Sequence, residues 1–231
     1  DEINDVNDNC PYLYGSSTVD RRGCLDSDSD GYSDADEDWT IDDGADAFAY
    51  EPSQWRDSDL DGYGDNPHPA FEADDCPTVA GTSEFDRSGC VDTDSDGYSD
   101  SDDNWPTKDC GSLTGICADA LPEESTQWTD YDGDGYGDNY ANQSWTDSRD
   151  SAWPGDYVFL AKNQDACPLQ PGTSTEGELY GCPDTDGDGW ANSQDAFPMD
   201  ACQNKDTDGD GYGDNPECDD YDQCLLQPGT S

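Results

Sequence analysis

An irregular fold with little regular secondary structure, in which tandem disulfide-braced loops form an elongated rod, is what this sequence predicts. Three observations carry the prediction. The pattern D-x-D-x-D-G occurs six times. Cysteines recur as Cys-x(12 or 13)-Gly-Cys, at Cys10 to Cys24, Cys76 to Cys90 and Cys167 to Cys182, and a fourth start stands at Cys224. No segment shows the apolar periodicity of an amphipathic helix, and Gly, Pro, Asp and Asn crowd the flanks of every acidic loop.

Composition narrows the class. With 58 acidic and 8 basic residues, the chain carries a formal charge of -50 over 231 residues, and only 31% of it is apolar. Such like charge opposes compaction unless it is neutralised, and so little apolar material leaves no large shared core. A disordered acidic chain has a similar composition, but disorder does not require acids in register with glycines and aromatics. The lack of a basic patch excludes nucleic-acid binding through phosphates, and the lack of a long apolar run excludes a membrane-spanning helix. Eleven cysteines and a single histidine, His68, with no C-x-x-C, argue for disulfides in an oxidising compartment rather than zinc.

The acidic loops fall into two sets. The A loops follow the Gly-Cys step. Residues 26–37 place acids at Asp26, Asp28 and Asp30, then Tyr32, Asp34 and Glu37 at positions 7, 9 and 12. Residues 92–103 repeat this with Asp92, Asp94, Asp96, Tyr98, Asp100 and Asp103. Residues 184–195 do so with Asp184, Asp186, Asp188, Trp190, Asn192 and Asp195. A spacer aspartate follows at Asp46, Asp119 and Asp195. The B loops continue Tyr-Gly-Asp-Asn: Asp57, Asp59, Asp61, Tyr63 and Asp65 in 57–68; Asp130, Asp132, Asp134, Tyr136 and Asp138 in 130–141; Asp206, Asp208, Asp210, Tyr212 and Asp214 in 206–217. Their twelfth residues are His68, Ala141 and Glu217, so only the last closes like an EF-hand. The acids two residues before the next cysteine, Asp74, Asp165 and Asp222, are candidates to close the others.

Alternating carboxylates ending in glycine form a cage for a hard cation. Positions 1, 3 and 5 turn oxygens inward, glycine at 6 permits the sharp turn, position 7 offers its carbonyl, and acids at 9 and 12 complete six or seven ligands. The expected ion is calcium, at six sites or more and up to about twelve if each loop takes two. The order of motifs divides the chain into units 1–75, 76–166 with an insertion at 140–164, 167–223, and the start of a fourth at 224–231. In the insertion, Tyr157 to Ala161 (YVFLA) reads as a buried strand that packs locally.

These residues resemble thrombospondin type 3 repeats over nearly the whole chain, of the kind common in prokaryotic surface proteins. The resemblance rests on tandem D-x-D-x-D-G-x-x-[DN] loops, as in DTDGDGWANSQDAFP and QWTDYDGDGYGDN. It implies calcium wrapped by largely irregular chain, several ions per repeat sharing aspartates, and an extracellular or cell-surface setting. The insertion and the cysteines at 110, 117, 202 and 218 depart from the pattern.

The recurrence predicts disulfides Cys10–Cys24, Cys76–Cys90 and Cys167–Cys182. Cys110–Cys117 and Cys202–Cys218 follow as pairs found in one unit each, leaving Cys224 for a partner beyond Ser231. Aromatic residues at position 7 are expected to cover their loops rather than form a sugar-binding ladder. Asn142 heads the one N-glycosylation sequon.

The function expected is that of a calcium-stiffened extracellular rod or filament segment of a cell-surface, matrix or adhesive fibre, self-associating or forming part of a longer array, with glycans as further partners. The alternative is a calcium-dependent carbohydrate-binding or dockerin-like module. With no core and no nucleophile–base constellation around His68, no catalytic site is expected.

Overall fold

The structure is a computed structural model that describes residues 6–105, 117–146, 149, 153–219 and 221–229. Among these residues regular secondary structure is confined to two 3-10 turns, Ile41–Asp43 and Gln143–Trp145, and five isolated parallel bridges. The irregular, disulfide-braced fold class is therefore observed. The chain separates into two compact units, Asp1–Asp100 and Ser101–Ser231.

Four disulfides brace the described residues: Cys10–Cys24 and Cys76–Cys90 in the first unit, Cys167–Cys182 and Cys202–Cys218 in the second. The first three are the pairs that the recurrence predicts, and Cys202–Cys218 is the pair expected within the third repeat alone. Cys117 is also disulfide-bonded, while its expected partner Cys110 lies outside the described residues. Cys224 is free and exposed.

What lies inside explains why so little regular structure forms. Among the described residues the buried apolar side chains are alanines, cystines, two prolines (Pro154 and Pro168) and one tyrosine, Tyr140. The largest fully buried side chains are Gln54, Gln127, Asn139, Asp119, Asp138 and Asp165. Apolar burial contributes about 25 cal/mol per Å², and alanine offers little area, so folding needs another source of free energy.

One source is a buried amide clasp. Gln127 donates to the carbonyls of Asn139 (2.9 Å) and Lys162 (2.6 Å), and its Oε1 accepts from the Asn139 amide (2.9 Å). Asn139 returns the contact by donating Nδ2 to Thr126 O at 2.9 Å. The same clasp joins Gln54 to Asn66 and Phe71, and Gln203 to Asn215. It explains the glycine of Tyr-Gly-Asp-Asn: a Cβ on Gly137 would lie 2.0 Å from Gln127 Oε1. Replacing Gln127 by alanine strands a buried amide and two carbonyls. We expect a loss of about 3 kcal/mol in calcium-saturated protein, and a smaller loss for Gln203→Ala, whose side chain makes two such bonds. Chemical denaturation of both variants checks this.

The Tyr157 to Ala161 run is not a buried strand. Tyr157 makes one bridge to Tyr140, their rings 6.1 Å apart, and the chain then turns through Ala161 N–H to Val158 O at 3.0 Å. Phe159 and Leu160 remain 75% and 66% exposed. Leu160 takes φ 64°, a left-handed conformation that a strand cannot hold.

Candidate metal centres

Each loop folds around its first aspartate. Asp26 accepts from the amides of Ser29 (2.7 Å) and Gly31 (3.2 Å). Asp57, Asp92, Asp130, Asp184 and Asp206 do the same with the amides of their own fourth and sixth residues. This curls the loop so that position 6 adopts φ between 92° and 104° at Gly31, Gly62, Gly97, Gly135, Gly189 and Gly211. Only glycine enters that region without penalty. Position 4 is left-handed as well, and is glycine in three loops but Ser29, Leu60 and Ser95 in the others. Leu60 is 62% exposed, so its side chain contributes little burial. Leu60→Gly should therefore raise stability in calcium by about 1 kcal/mol, the strain of a left-handed side-chain residue, read as an increased melting temperature.

The curl gathers the carboxylates. Ligand oxygens of Asp26, Asp28 and Asp30 lie within 4.8 Å of one another, close enough to hold a metal ion. So do those of Asp57, Asp59 and Asp61; Asp92, Asp94 and Asp96; Asp130, Asp132 and Asp134; and Asp184, Asp186 and Asp188. In each position-5 aspartate, Oδ1 accepts from the amide of position 7. In the first A loop this leaves Asp28 Oδ2 and Asp30 Oδ2 buried with no hydrogen-bond partner. Asp46, buried and hydrogen-bonded through Oδ1 to the Phe48 amide (2.7 Å), adds an Oδ2 in the same condition.

The acid before each cysteine plays the corresponding part for the B loops. Asp74 and Asp165 are buried, each bonded through Oδ1 to the amide of the following cysteine, with Oδ2 unpartnered. Both oxygens of Asp59 and of Asp132 are likewise buried and unpartnered, as are both of Asp208. In the third B loop the residue facing Asp208 is Asp222, 3% exposed, and not Glu217, which is exposed. The acid returned over this loop is thus Asp222, as Asp74 and Asp165 are in the other B loops, and not the Glu217 that an EF-hand template expects. The remaining twelfth residues Glu37, His68 and Asp103 are exposed, whereas Asp195, shared with the spacer, is buried with an unpartnered Oδ2. Asp119, the spacer acid of the second A loop, is buried in the second unit.

The ninth residues are turned elsewhere. Asp34 accepts from Ser27 N (2.9 Å) and Oγ (2.5 Å), and Asp65, Asp100 and Asp214 bind both groups of Ser58, Thr93 and Thr207 in the same way. At Asn192 the amide Nδ2 donates to Thr185 Oγ1, so this side of the residue cannot be a ligand. These residues strap position 9 to position 2. Asp138 is the exception: Oδ2 accepts from Tyr131 N, and Oδ1 is buried and unpartnered beside Asp130 and Asp132. The position-7 carbonyls of Tyr32, Tyr63, Tyr136, Trp190 and Tyr212 accept no backbone hydrogen bond among the described residues. Their rings pack locally, Tyr32 on Trp55 at 5.0 Å and Tyr136 on Tyr180 at 6.3 Å; Tyr98 meets Phe85 at 5.5 Å.

Crowding shows in the acidities. Burial, reinforced by neighbouring carboxylates, raises Asp46 and Asp138 to about 7, Asp165 to about 8, and Asp74, Asp96 and Asp132 to about 6. Several buried carboxylate oxygens without hydrogen-bond partners are costly unless a cation pairs with them. The donor set is all oxygen, which fits a hard cation.

Other positioning residues escaped the sequence reading. Asp20 and Asp86 each bind the amide and hydroxyl of Ser33 and Ser99, joining a disulfide loop to the following A loop. Arg21 and Arg87 donate Nε to the same serines. Where the disulfide loop lacks Asp-Arg, position 8 is Ala191, and this covariation within the chain is a usable signal. Arg149 sits against the rings of Tyr140 and Trp145 (4.7 and 4.8 Å) and donates to the carbonyls of Asp138 and Asp165 (2.9 and 2.5 Å). Asn142 is exposed and caps the Gln143–Trp145 turn through Ser144.

No family model matches the chain, and no curated protein matches it significantly. Among the described residues no helix is long and apolar enough to cross a membrane.

Proposed function

We propose that this chain is a calcium-binding structural protein of the extracellular space or cell surface, of the thrombospondin type 3 repeat kind. In it bound calcium turns an acidic, coreless chain into a stiff rod or filament segment. The observation that carries this reading is the convergence of buried, hydrogen-bond-deficient carboxylate oxygens from the D-x-D triplets and a distant closing aspartate. Calcium suits these cages better than magnesium, because it accepts many carboxylate and carbonyl oxygens in flexible geometry, whereas magnesium retains its waters. Asp26, Asp28, Asp30, the Tyr32 carbonyl and Asp46 would hold the ion in the first A loop. Asp130, Asp132, Asp134, Asp138, the Tyr136 carbonyl and Asp165 would hold it in the second B loop. Six divalent ions would cancel twelve of the fifty net negative charges. The disulfides fit an oxidising, extracellular setting.

Calorimetric titration with calcium, paired with native mass spectrometry, tests the reading. Six or more calcium ions per chain are expected in millimolar or lower free calcium, with magnesium a poor competitor. Asp165→Asn should remove one ion from the count. A chain that stays ordered and binds no calcium would overturn the proposal.

A further inference from the structure

The first A loop, the first B loop and the turn between them enclose a cleft of about 500 Å³ that opens to solvent. Small-molecule sites usually span about 300–1,000 Å³. Two parts of its wall are found in this repeat alone, and neither serves the packing of the fold.

One is a rigid turn. Residues 39–44 (WTIDDG) are an insertion without counterpart in the other repeats. Asp43 Oδ2 accepts from Thr40 N and Oγ1 at 3.1 and 2.8 Å, and Gly44 N–H donates to Ile41 O at 3.0 Å. The turn is thus held firmly, yet none of Ile41–Asp43 is buried, and Ile41 stands on the wall of the cleft. The other is Leu60. The corresponding residues of the other two B loops are Gly133 and Gly209, at φ 80° and 79°, whereas Leu60 holds φ 65° with a side chain. That side chain lines the cleft and stays 62% exposed. A strained residue with so little burial in return points to a role other than stability.

Between these walls lies an aromatic surface. Tyr32 and Trp55 stack with ring centroids 5.0 Å apart and planes 7° from parallel. Polar groups stand beside it uncommitted. The Trp55 ring N–H and the Asp42 carboxylate make no hydrogen bond among the described residues. Arg56 bonds Asp65 through Nε at 3.2 Å, and its side chain is 71% exposed. Ring surface between aliphatic walls, with both donors and an acceptor at hand, suits a pyranose: its C–H face lies on the rings and its hydroxyls meet the polar groups. The net charge of -50 disfavours an anionic ligand.

We propose that this cleft binds a neutral oligosaccharide. Tyr32 and Trp55 form the platform, Ile41 and Leu60 the walls, and Arg56 and Asp42 the hydroxyl partners. This goes beyond the structural role proposed above and adds a ligand site to the first repeat. Because both first loops contribute to the cleft, it exists only while both are folded.

Calorimetric titration of the full chain in calcium with short neutral oligosaccharides of glucose, N-acetylglucosamine, galactose and mannose tests this. Oligogalacturonate and oligo-arginine serve as charged controls. At least one neutral sugar should bind with Kd roughly millimolar or tighter. Leu60→Gly should weaken that binding about fivefold while raising the melting temperature and leaving the calcium count unchanged, a combination that misfolding does not produce. Trp55→Phe keeps a ring for Tyr32 but loses the ring N–H, and should weaken binding by up to about tenfold. If no neutral sugar binds, or if both variants bind as tightly as the parent chain, the proposal is wrong. Binding of oligogalacturonate or oligo-arginine in place of the neutral sugars would overturn it equally. Calcium counts on the same samples report separately on the proposed metal sites.

Discussion

Removing calcium is expected to unfold this protein cooperatively, even with every disulfide intact. Among the described residues the buried apolar groups are mostly alanine and cystine, which leaves little hydrophobic free energy to oppose conformational entropy. Against folding stand net charge -50 and a set of buried carboxylate oxygens without partners. Calcium would reverse both, since ions bound to the native clusters and not to the unfolded chain would add about 2.7 kcal/mol per site at free calcium 100-fold above Kd. Several such sites together match or exceed the roughly 5–15 kcal/mol that stabilises a typical domain. On chelation we expect loss of near-ultraviolet circular dichroism from the packed tyrosine and tryptophan rings and a large rise in hydrodynamic radius. Amide exchange should become fast in the Gln–Asn clasps. Persistence of slow exchange at Asn66 and Asn139 in chelator would show that the clasps are stable without metal.

The carboxylate clusters were legible in the sequence because their members are local. Asp26, Asp28 and Asp30 lie on alternate residues, and their glycine sits where the turn needs φ of 104°. The closing acids Asp74 and Asp165 were legible from their fixed place before a cysteine. The ninth residues were harder, because an EF-hand template assigns them to the ion. Here serine or threonine at position 2 offers both an amide and a hydroxyl, and the short aspartate reaches those first. Glu217 illustrates the same limit: closure depends on which acid the chain returns over the cage. The Gly213–Tyr221 bridge and the Asp222 N–H bond to Gly213 O place Asp222 there. The glutamine clasps were invisible to hydrophobic patterning, since the core they form is polar. Patterning failed outright at Tyr157 to Ala161, where apolar side chains in an otherwise polar stretch are mostly left exposed.

Acidification should act in opposite directions on the metal-free and the calcium-bound protein. In the metal-free fold, burial raises Asp46, Asp138 and Asp165 to about 7, 7 and 8 from an ordinary value of 3.8. A carboxyl whose folded value is raised binds its proton more tightly folded than unfolded. Its contribution to stability is complete below the unfolded value and is lost as pH rises through the folded one. Stability of the metal-free chain should therefore fall between about pH 4 and 8. Calcium needs the same oxygens deprotonated, so proton and metal compete, and the calcium-dependent part of stability grows across this window as protons leave. In metal-depleted buffer the melting temperature should fall as pH rises from 4 until no folded chain is left near neutral pH, whereas in excess calcium it should climb to pH 8, the two curves converging at the acid end. Asp165→Asn removes the most strongly perturbed of these groups. It should flatten the metal-free slope from about pH 4 upward, for as long as the metal-free chain stays folded, and lower the calcium-bound curve at neutral pH. Parallel slopes in the two buffers would mean that the buried carboxylates are not the groups that hold calcium.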